Sequence, residues 1–347
     1  IPIVVQREYR AGDPSVGLFG KGQHDIYSMT LHSNPHSYTE VDLVLGNGAR
    51  VHFEATNPSA PLASRIWEHT ESPTEWQHAK VAYVATSDHW LVTRKDGVQY
   101  EFSGHWGSYL LAIRDPRGNQ LTIDRVYTPP PLGDWARYSR WPLAITAPNG
   151  RRVEFTVDTT TFGEEVITQA LDVATGRTVS YSYDGSKRLT SVTDTGSGVT
   201  TYTYDGTSQR IATITDPKSI TWLTNTYDGN GRVTQQTFAD STTYQFAYTL
   251  DGGGKVTQTD VTDPRGHVER LTFNGAGHVL TATRAYGTGL AQTTTYTRDA
   301  TTHRPTRITD ALGRHTDFTY DSAGNVLTVT RLAGTGNAVT TTATYTT

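Results

Sequence analysis

Cysteine is missing altogether from this 347-residue sequence. Its absence excludes a disulfide framework, a thiolate metal site and a cysteine nucleophile. Both cytosolic and exported proteins can lack cysteine, so the compartment is not decided by this observation.

Long hydrophobic runs and strong net charge are also lacking. Hydrophobic residues make up 35% of the chain and the mean hydropathy is −0.50. No run of about 18 apolar residues occurs, so no membrane span is predicted. Residues 1–5 are apolar but too few for the core of a signal peptide. The net charge is −4 and no basic stripe is present, so nucleic acid is not an expected partner.

Turn formers and aromatic residues are what the chain has in quantity. The 32 Gly and 15 Pro interrupt it too often for long helices. The 19 Tyr, 7 Trp and 9 Phe supply large apolar area and, with the β-branched residues, favour strands.

A short unit recurs from about residue 113 onwards. It consists of a strand ending in Tyr, the turn Asp-x-x-Gly, a basic residue and a second strand, and copies are about two dozen residues apart. A fixed period of this length is typical of repeat architectures. The predicted repeat anchors are Tyr183, Asp184, Tyr204, Asp205, Tyr227, Asp228, Gly231, Phe273, Gly277, Tyr320, Asp321 and Gly324.

The Asp-x-x-Gly pattern predicts a tight hairpin turn. A type I turn prefers Asp first and Gly last, and the carboxylate can accept a hydrogen bond from a backbone N–H two residues on. Glycine can adopt the positive φ of a G1 bulge. Related turns lie between the anchors, at residues 115–118 and 263–266 among others. Two turns per period predict a continuous antiparallel meander, with rows of tyrosines pairing between neighbouring hairpins.

The Tyr-Asp-x-x-Gly-Arg pattern at this spacing resembles the Rhs/YD-repeat family. Residues 1–112 resemble the β-rich segment that precedes such repeats, for example at residues 17–22 and 95–102. We therefore expect a leading segment at 1–112 and a repeat ribbon at 113–347, with a Pro-rich insertion at 128–142.

The resemblance implies an all-β fold, in which a spiralling antiparallel β-hairpin ribbon forms part of a hollow shell. In bacterial polymorphic toxins and insecticidal toxin complexes such shells enclose a toxin domain, and in teneurins the related shell supports adhesion. The implied partners are the remainder of a longer polypeptide or an enclosed C-terminal toxin domain. The implied location is secreted or cell surface, in a bacterial source. A β-propeller is the alternative fold.

Two other functions remain open. A carbohydrate- or cell-surface-binding module is the first, because exposed flat aromatic rings mark binding surfaces. Its candidate residues are Trp106, Tyr109, Trp135 and Trp141, and its partner would be a cell-surface glycan.

A polysaccharide-degrading glycosidase or lyase is the second. However, the sequence contains no P-loop, nucleophile elbow or His-Glu-x-x-His motif. His32 and His36 lie in a loop-like stretch without the helical spacing of a zinc pair. The Asp228 turn has no Glu at the twelfth position of a calcium loop. No catalytic residue, metal or cofactor is therefore expected, and an enzyme is disfavoured.

Overall fold

The computed structural model describes residues 1–33, 37–71, 74–104, 108–128, 137–161 and 164–345. The chain divides into unit 1, which comprises Ile1–Thr70 and Glu75–Ile220, and unit 2, which comprises Glu71–Thr74 and Thr221–Thr347. Both units consist of antiparallel strands, so the predicted all-β class is confirmed. The predicted boundary between leading segment and repeats, at 112/113, falls inside unit 1 and stays a prediction.

Helical structure is confined, in the described part of the chain, to two single-turn 3-10 helices, Ile26–Ser28 and Leu62–Ser64. No helix there is long and apolar enough to cross a membrane.

Unit 1 contains strands β1 to β20. Their bounds are β1 Glu8–Tyr9, β2 Val16–Gly17, β3 Gly20–Lys21, β4 Gln23–His24, β5 Thr30–Ser33, β6 Glu40–Val44, β7 Arg50–Ala55, β8 Ile66–Glu68, β9 Lys80–Val84, β10 His89–Thr93, β11 Gln99–Ser103, β12 Ser108–Arg114, β13 Gln120–Thr128, β14 Arg137–Thr146, β15 Arg152–Asp158, β16 Val166–Asp172, β17 Arg177–Tyr183, β18 Leu189–Thr193, β19 Val199–Tyr204 and β20 Ile211–Thr215.

Strands β5 to β12 form a closed ring. Each pairs with the next in sequence, and β12 returns to β5 through the pairs Ser108–Leu31 and Tyr109–Thr30. At its other end, β12 pairs with β13. This strand therefore belongs both to the ring and to the meander β13–β20 that follows it.

The interior of the ring is a packed apolar core. Alternate residues of each strand point inwards, as the pleat requires, and Phe53, Trp67 and Phe102 are completely buried. The Trp67 and Trp90 rings meet edge to face with centroids 5.3 Å apart. Burying one such side chain stabilises the fold by about 1.5–3 kcal/mol.

The predicted Pro-rich insertion at 128–142 is partly strand. Strand β13 extends to Thr128 and β14 begins at Arg137, so Trp141 lies within a strand. Residues 129–136 lie outside the described part of the chain.

Unit 2 contains strands β21 to β31, and each pairs with the next in sequence. Their bounds are β21 Thr221–Tyr227, β22 Val233–Phe238, β23 Thr243–Leu250, β24 Val256–Thr262, β25 Val268–Phe273, β26 Val279–Arg284, β27 Gln292–Arg298, β28 Pro305–Thr309, β29 His315–Tyr320, β30 Val326–Arg331 and β31 Val339–Thr342. In each unit the described repeat strands form one meander in sequence order, whereas a propeller requires separate four-stranded blades. The alternative fold is therefore wrong.

The two faces of the unit 2 sheet differ in chemistry. Register places an aromatic and aliphatic set on one face, which we call the aromatic face: Leu223, Phe238, Tyr244, Phe246, Val261, Leu271, Tyr296, Ile308, Phe318 and Val329. The opposite face is rich in threonine, and cross-strand pairs such as Thr319–Thr328 are hydrogen-bonded at 2.6 Å. We call it the threonine face.

Unit 2 has almost no fully buried residues. Among its described residues only Thr283, Arg304 and Ala333 are buried, whereas the aromatic face is half-exposed. The sheet of unit 2 is therefore a single layer with an apolar face that nothing within unit 2 covers.

Candidate functional site

The repeated unit begins with the turn that the sequence predicts. In the Asp228 turn, the carboxylate Oδ1 accepts hydrogen bonds from the backbone N–H groups of Asn230 and Arg232, both at 2.9 Å. Gly231 has φ 79°, which glycine adopts without strain. The pairing register shifts directly before the turn, between Thr226 and Tyr227, as a bulge requires.

The basic residue of the pattern connects one hairpin to the next. Arg188 donates from Nε to Asp184 Oδ2 at 2.7 Å, and its Nη1 donates at 2.8 Å to the carbonyl of Ser208 in the following turn. The same guanidinium lies 4.8 Å from the centroid of the Tyr204 ring. A cation over an aromatic face is attractive, so a carboxylate, a guanidinium and a tyrosine form a relay between adjacent hairpins.

The relay recurs in unit 2. Arg232 is paired with Asp228 at 2.7 Å and lies 5.3 Å from the Tyr248 ring centroid. Arg304 lies 5.4 Å from the Tyr320 ring centroid. At these junctions each tyrosine ring contacts an arginine of the neighbouring hairpin. The sequence had predicted that tyrosine rings would contact one another instead.

The tyrosine hydroxyl completes each junction. It donates to a backbone carbonyl at the start of the strand that follows the preceding turn. The pairs are Tyr204 to Leu189 at 2.7 Å, Tyr248 to Val233 at 2.8 Å and Tyr320 to Pro305 at 2.7 Å. Each hairpin is thus joined to its neighbour by side chains as well as by the strand ladder.

The environment of the junction holds its charges in place. Burial acts to raise the pKa of Asp184, but hydrogen bonds from the Arg188 backbone and guanidinium outweigh it, so the pKa is lowered. Burial raises the pKa of the Tyr204 phenol, as does the nearby Asp184 carboxylate. The phenol is therefore neutral at physiological pH and acts as a hydrogen-bond donor.

The predicted anchors sit at the hairpin turns, but not all have the same contacts. Phe273 has no hydroxyl to donate, and Gly277 closes its turn with φ 85°. Gly324 is approached closely by Arg304, whose guanidinium occupies the space of a Cβ. The relay arginines were not among the predicted site residues, although a basic residue formed part of the repeat pattern.

The N-terminal segment, residues 1–24, covers the aromatic residues of the unit 1 hairpins. Phe19 meets the Tyr181 ring at 5.1 Å, and the Arg7 guanidinium lies 5.6 Å from that ring. The Tyr9 hydroxyl accepts a hydrogen bond from the Ile211 N–H at 2.8 Å. An extended polypeptide thus occupies the face that corresponds to the uncovered aromatic face of unit 2.

A buried cation holds the start of the ring in place. Arg125 donates to the carbonyls of Leu110 at 2.9 Å, Tyr27 at 2.6 Å and Arg140 at 2.5 Å. Burial lowers its pKa to about 10, against the effect of Asp25. Burial likewise raises the pKa of Asp25. Asp25 lines a cavity of about 550 Å³, together with Trp76 and other residues of unit 1.

The aromatic residues proposed for sugar binding are only partly described. Trp106 and Trp135 lie outside the described residues. Tyr109 lies in β12 with the Arg125 guanidinium 5.4 Å from its ring centroid. Trp141 is half-buried and packs against the core. Neither Tyr109 nor Trp141 has a fully exposed side chain.

Metal-ligating residues do not cluster in the part of the chain that the structure describes. No group of three or more His, Asp or Glu side chains there is arranged to hold an ion.

Comparison with known proteins identifies similarities of family and of structure. Residues 183–221 and 301–335 match the RHS repeat family. A crystal structure of TcdB2–TccC3–Cdc42 is 15% identical, with a TM-score of 0.44 over 87% of this chain and 18% of that chain. A Tc holotoxin pore from Photorhabdus luminescens is 11% identical, with a TM-score of 0.46 over 90% of this chain and 20% of that chain. This chain therefore spans about a fifth of the length of those structures. No curated protein sequence matches it.

Proposed function

We propose that this chain is a member of the Rhs/YD-repeat family and that it forms a wall segment of a secreted β-sheet shell whose inner face contacts enclosed polypeptide. The observation that carries the proposal is the single-layer sheet of unit 2. Its aromatic face is uncovered by the unit itself, and an apolar face of this extent requires a covering partner.

The unit 1 hairpins indicate what that partner is. There the equivalent tyrosines are covered by the N-terminal segment, residues 1–24, through an edge-to-face ring contact and backbone hydrogen bonds. Lys21 N–H, for example, donates to the Lys187 carbonyl at 2.8 Å. We propose a polypeptide of similar chemistry over the aromatic face of unit 2, belonging to the rest of a longer chain or to a toxin domain.

The polar groups of the repeats support a structural role. Carboxylates, guanidinium groups and phenols at the junctions are engaged with one another and with backbone groups. A catalytic site instead needs such groups to converge on a substrate.

Thiol labelling tests the wall. Because the chain has no cysteine, Thr294→Cys and Thr295→Cys each introduce a single thiol. The two residues are neighbours on β27, and Thr294 lies on the aromatic face while Thr295 is exposed on the threonine face. In the full-length protein, both thiols should react with iodoacetamide, which is small enough to reach either face.

A 5 kDa polyethylene-glycol maleimide should separate the two variants. If the aromatic face lines a shell, the maleimide should modify Thr295→Cys quickly and leave Thr294→Cys largely unmodified. Equal modification of the two would show that both faces are open to large molecules and would remove the basis of the proposal.

A further inference from the structure

Two histidines meet at one junction of unit 2. The imidazole rings of His278 and His303 lie against each other in a tilted arrangement, with centroids 4.9 Å apart and an angle of 35° between their planes. His278 follows the turn between β25 and β26, and His303 lies in the turn between β27 and β28. We call this contact the histidine seam.

The seam lies where other junctions have an ion-paired relay. The turns at Asp184 and Asp228 carry a carboxylate paired with an arginine four residues on. Here the corresponding residues are Asn274 and His278. The Asn274 side-chain oxygen accepts a hydrogen bond from the backbone N–H of His278 at 2.9 Å, but the Asn274 amide carries no charge. His278 therefore has no carboxylate in its own turn to offset a positive charge.

The groups that face the seam from other elements are mostly cationic. Arg298 donates from Nε to the Val279 carbonyl at 3.0 Å and from Nη1 to the His303 carbonyl at 2.9 Å. Arg304 follows His303 directly and is buried. From the preceding turn, Lys255 donates to the carbonyl of Gly275.

One carboxylate, Asp299, faces the seam, but its Oδ1 already accepts the backbone N–H groups of Thr301 at 3.0 Å and Thr302 at 2.7 Å. A cavity of about 590 Å³ beside these residues, lined by Tyr296, Arg298 and His303 among others, gives water access to the seam. Apart from Asp299, the side chains that face His278 are neutral or positively charged, so they do not offset a positive charge on its ring.

We propose that the histidine seam is an acid-sensitive joint of the sheet, at which protonation of His278 weakens the contact between the hairpins 268–284 and 292–309. An imidazolium at His278 would lie against the His303 ring and beside the Arg298 guanidinium, which repels it. The joint stays closed while the His278 ring is neutral.

The direction of the effect follows from linkage. Burial lowers the pKa of His278, and so do His303 and Arg298. At a pH near and below its unfolded value of about 6.5, His278 therefore binds more protons in the unfolded chain than in the folded one. Stability is present above that pH and falls as the pH decreases through the lowered folded value. The inference concerns the seam alone and is independent of the proposed shell.

Hydrogen exchange on the full chain tests the joint. Protection factors, which correct for the intrinsic effect of pH on exchange, would be compared at about pH 7.5 and about pH 5. Protection in residues 268–309 should fall severalfold at the lower pH, because the His278 imidazolium then forms beside Arg298. Residues 221–250 contain no histidine and carry the Asp228–Arg232 pair, so their protection should change little.

Two variants keep the inference falsifiable. The double substitution Asn274→Asp with His278→Arg restores the carboxylate and guanidinium of the other junctions and should abolish the loss at about pH 5. His303→Gln removes the ring that lies against His278 and should reduce this loss. The proposal is overturned if wild-type protection does not change with pH, if residues 221–250 lose as much, or if both variants retain the wild-type response.

Discussion

The hydroxyl of Tyr248 makes one side-chain hydrogen bond, and its removal measures what a single hairpin junction contributes. In Tyr248→Phe the ring and its contact with the Arg232 guanidinium are kept, while the 2.8 Å bond to the Val233 carbonyl is lost. Removing a hydrogen bond and leaving its partner unsatisfied costs about 1–3 kcal/mol. Because Tyr248 and Val233 are both half-buried, water partly replaces the donor, and we expect a loss of about 1 kcal/mol.

Tyr244 on the same strand is the matched control. Its ring packs against Phe238 with centroids 5.9 Å apart, and its hydroxyl has no hydrogen bond to the described part of the chain. Tyr244→Phe should therefore change the free energy of unfolding by less than about 0.5 kcal/mol.

Urea denaturation followed by far-ultraviolet circular dichroism provides the assay. With a urea m-value of about 2 kcal/mol/M, Tyr248→Phe should lower the midpoint of the unit 2 transition by about 0.5 M without changing the slope. Equal midpoints for Tyr248→Phe and Tyr244→Phe would refute the role given to the hydrogen bond of the Tyr248 hydroxyl.

Two further predictions concern unit 1 and the turns. Ser219 closes a turn with φ 63°, where glycine is usual, so Ser219→Gly should stabilise the chain by about 0.5 kcal/mol. Gly313 has φ 75° and open space where a Cβ would lie, so Gly313→Ala should destabilise the chain by about 1 kcal/mol through backbone strain alone. Thermal denaturation measures both changes. Arg125→Met should lower the free energy of unfolding of unit 1 by about 3–5 kcal/mol, measured by tryptophan fluorescence, because Asp25 and four backbone carbonyls lose their cation. The exposed Arg117→Met is its control, and a loss below about 1 kcal/mol would contradict the role of Arg125.

Local features of the fold could be predicted from the sequence because they depend on neighbouring residues. The Asp-x-x-Gly spacing fixes the turn, since the carboxylate reaches backbone groups only two and four residues on, as Asp228 does. Strand alternation follows from the turn, because each hairpin sets the register of its own two strands. The Rhs/YD-repeat resemblance then gave the meander its order.

Contacts between distant segments had no comparable signal. The pairing of β12 with β5 joins Ser108 to Leu31, and nothing in either strand specifies the other as a partner. The Arg125 contacts with the Tyr27 and Leu110 carbonyls are equally non-local, and backbone carbonyls leave no trace in sequence. The histidine seam could not be predicted either, because the contact of the His278 and His303 rings joins two different hairpins. Asn274 stands where other turns have a carboxylate, and this matters only because the two rings meet.

Strand β12 pairs both within the ring and with the meander, and this has a consequence for how such chains change in length. The ring β5–β12 is complete once β12 has met β5, so everything after β13 is appended to a finished foundation. In unit 2, each appended hairpin is joined to its predecessor by the strand ladder and by junctions such as that of Arg232 with Tyr248. Gene segments encoding whole hairpins can then be duplicated or deleted downstream while the foundation is left untouched, and the size of the assembly becomes an evolutionarily adjustable property.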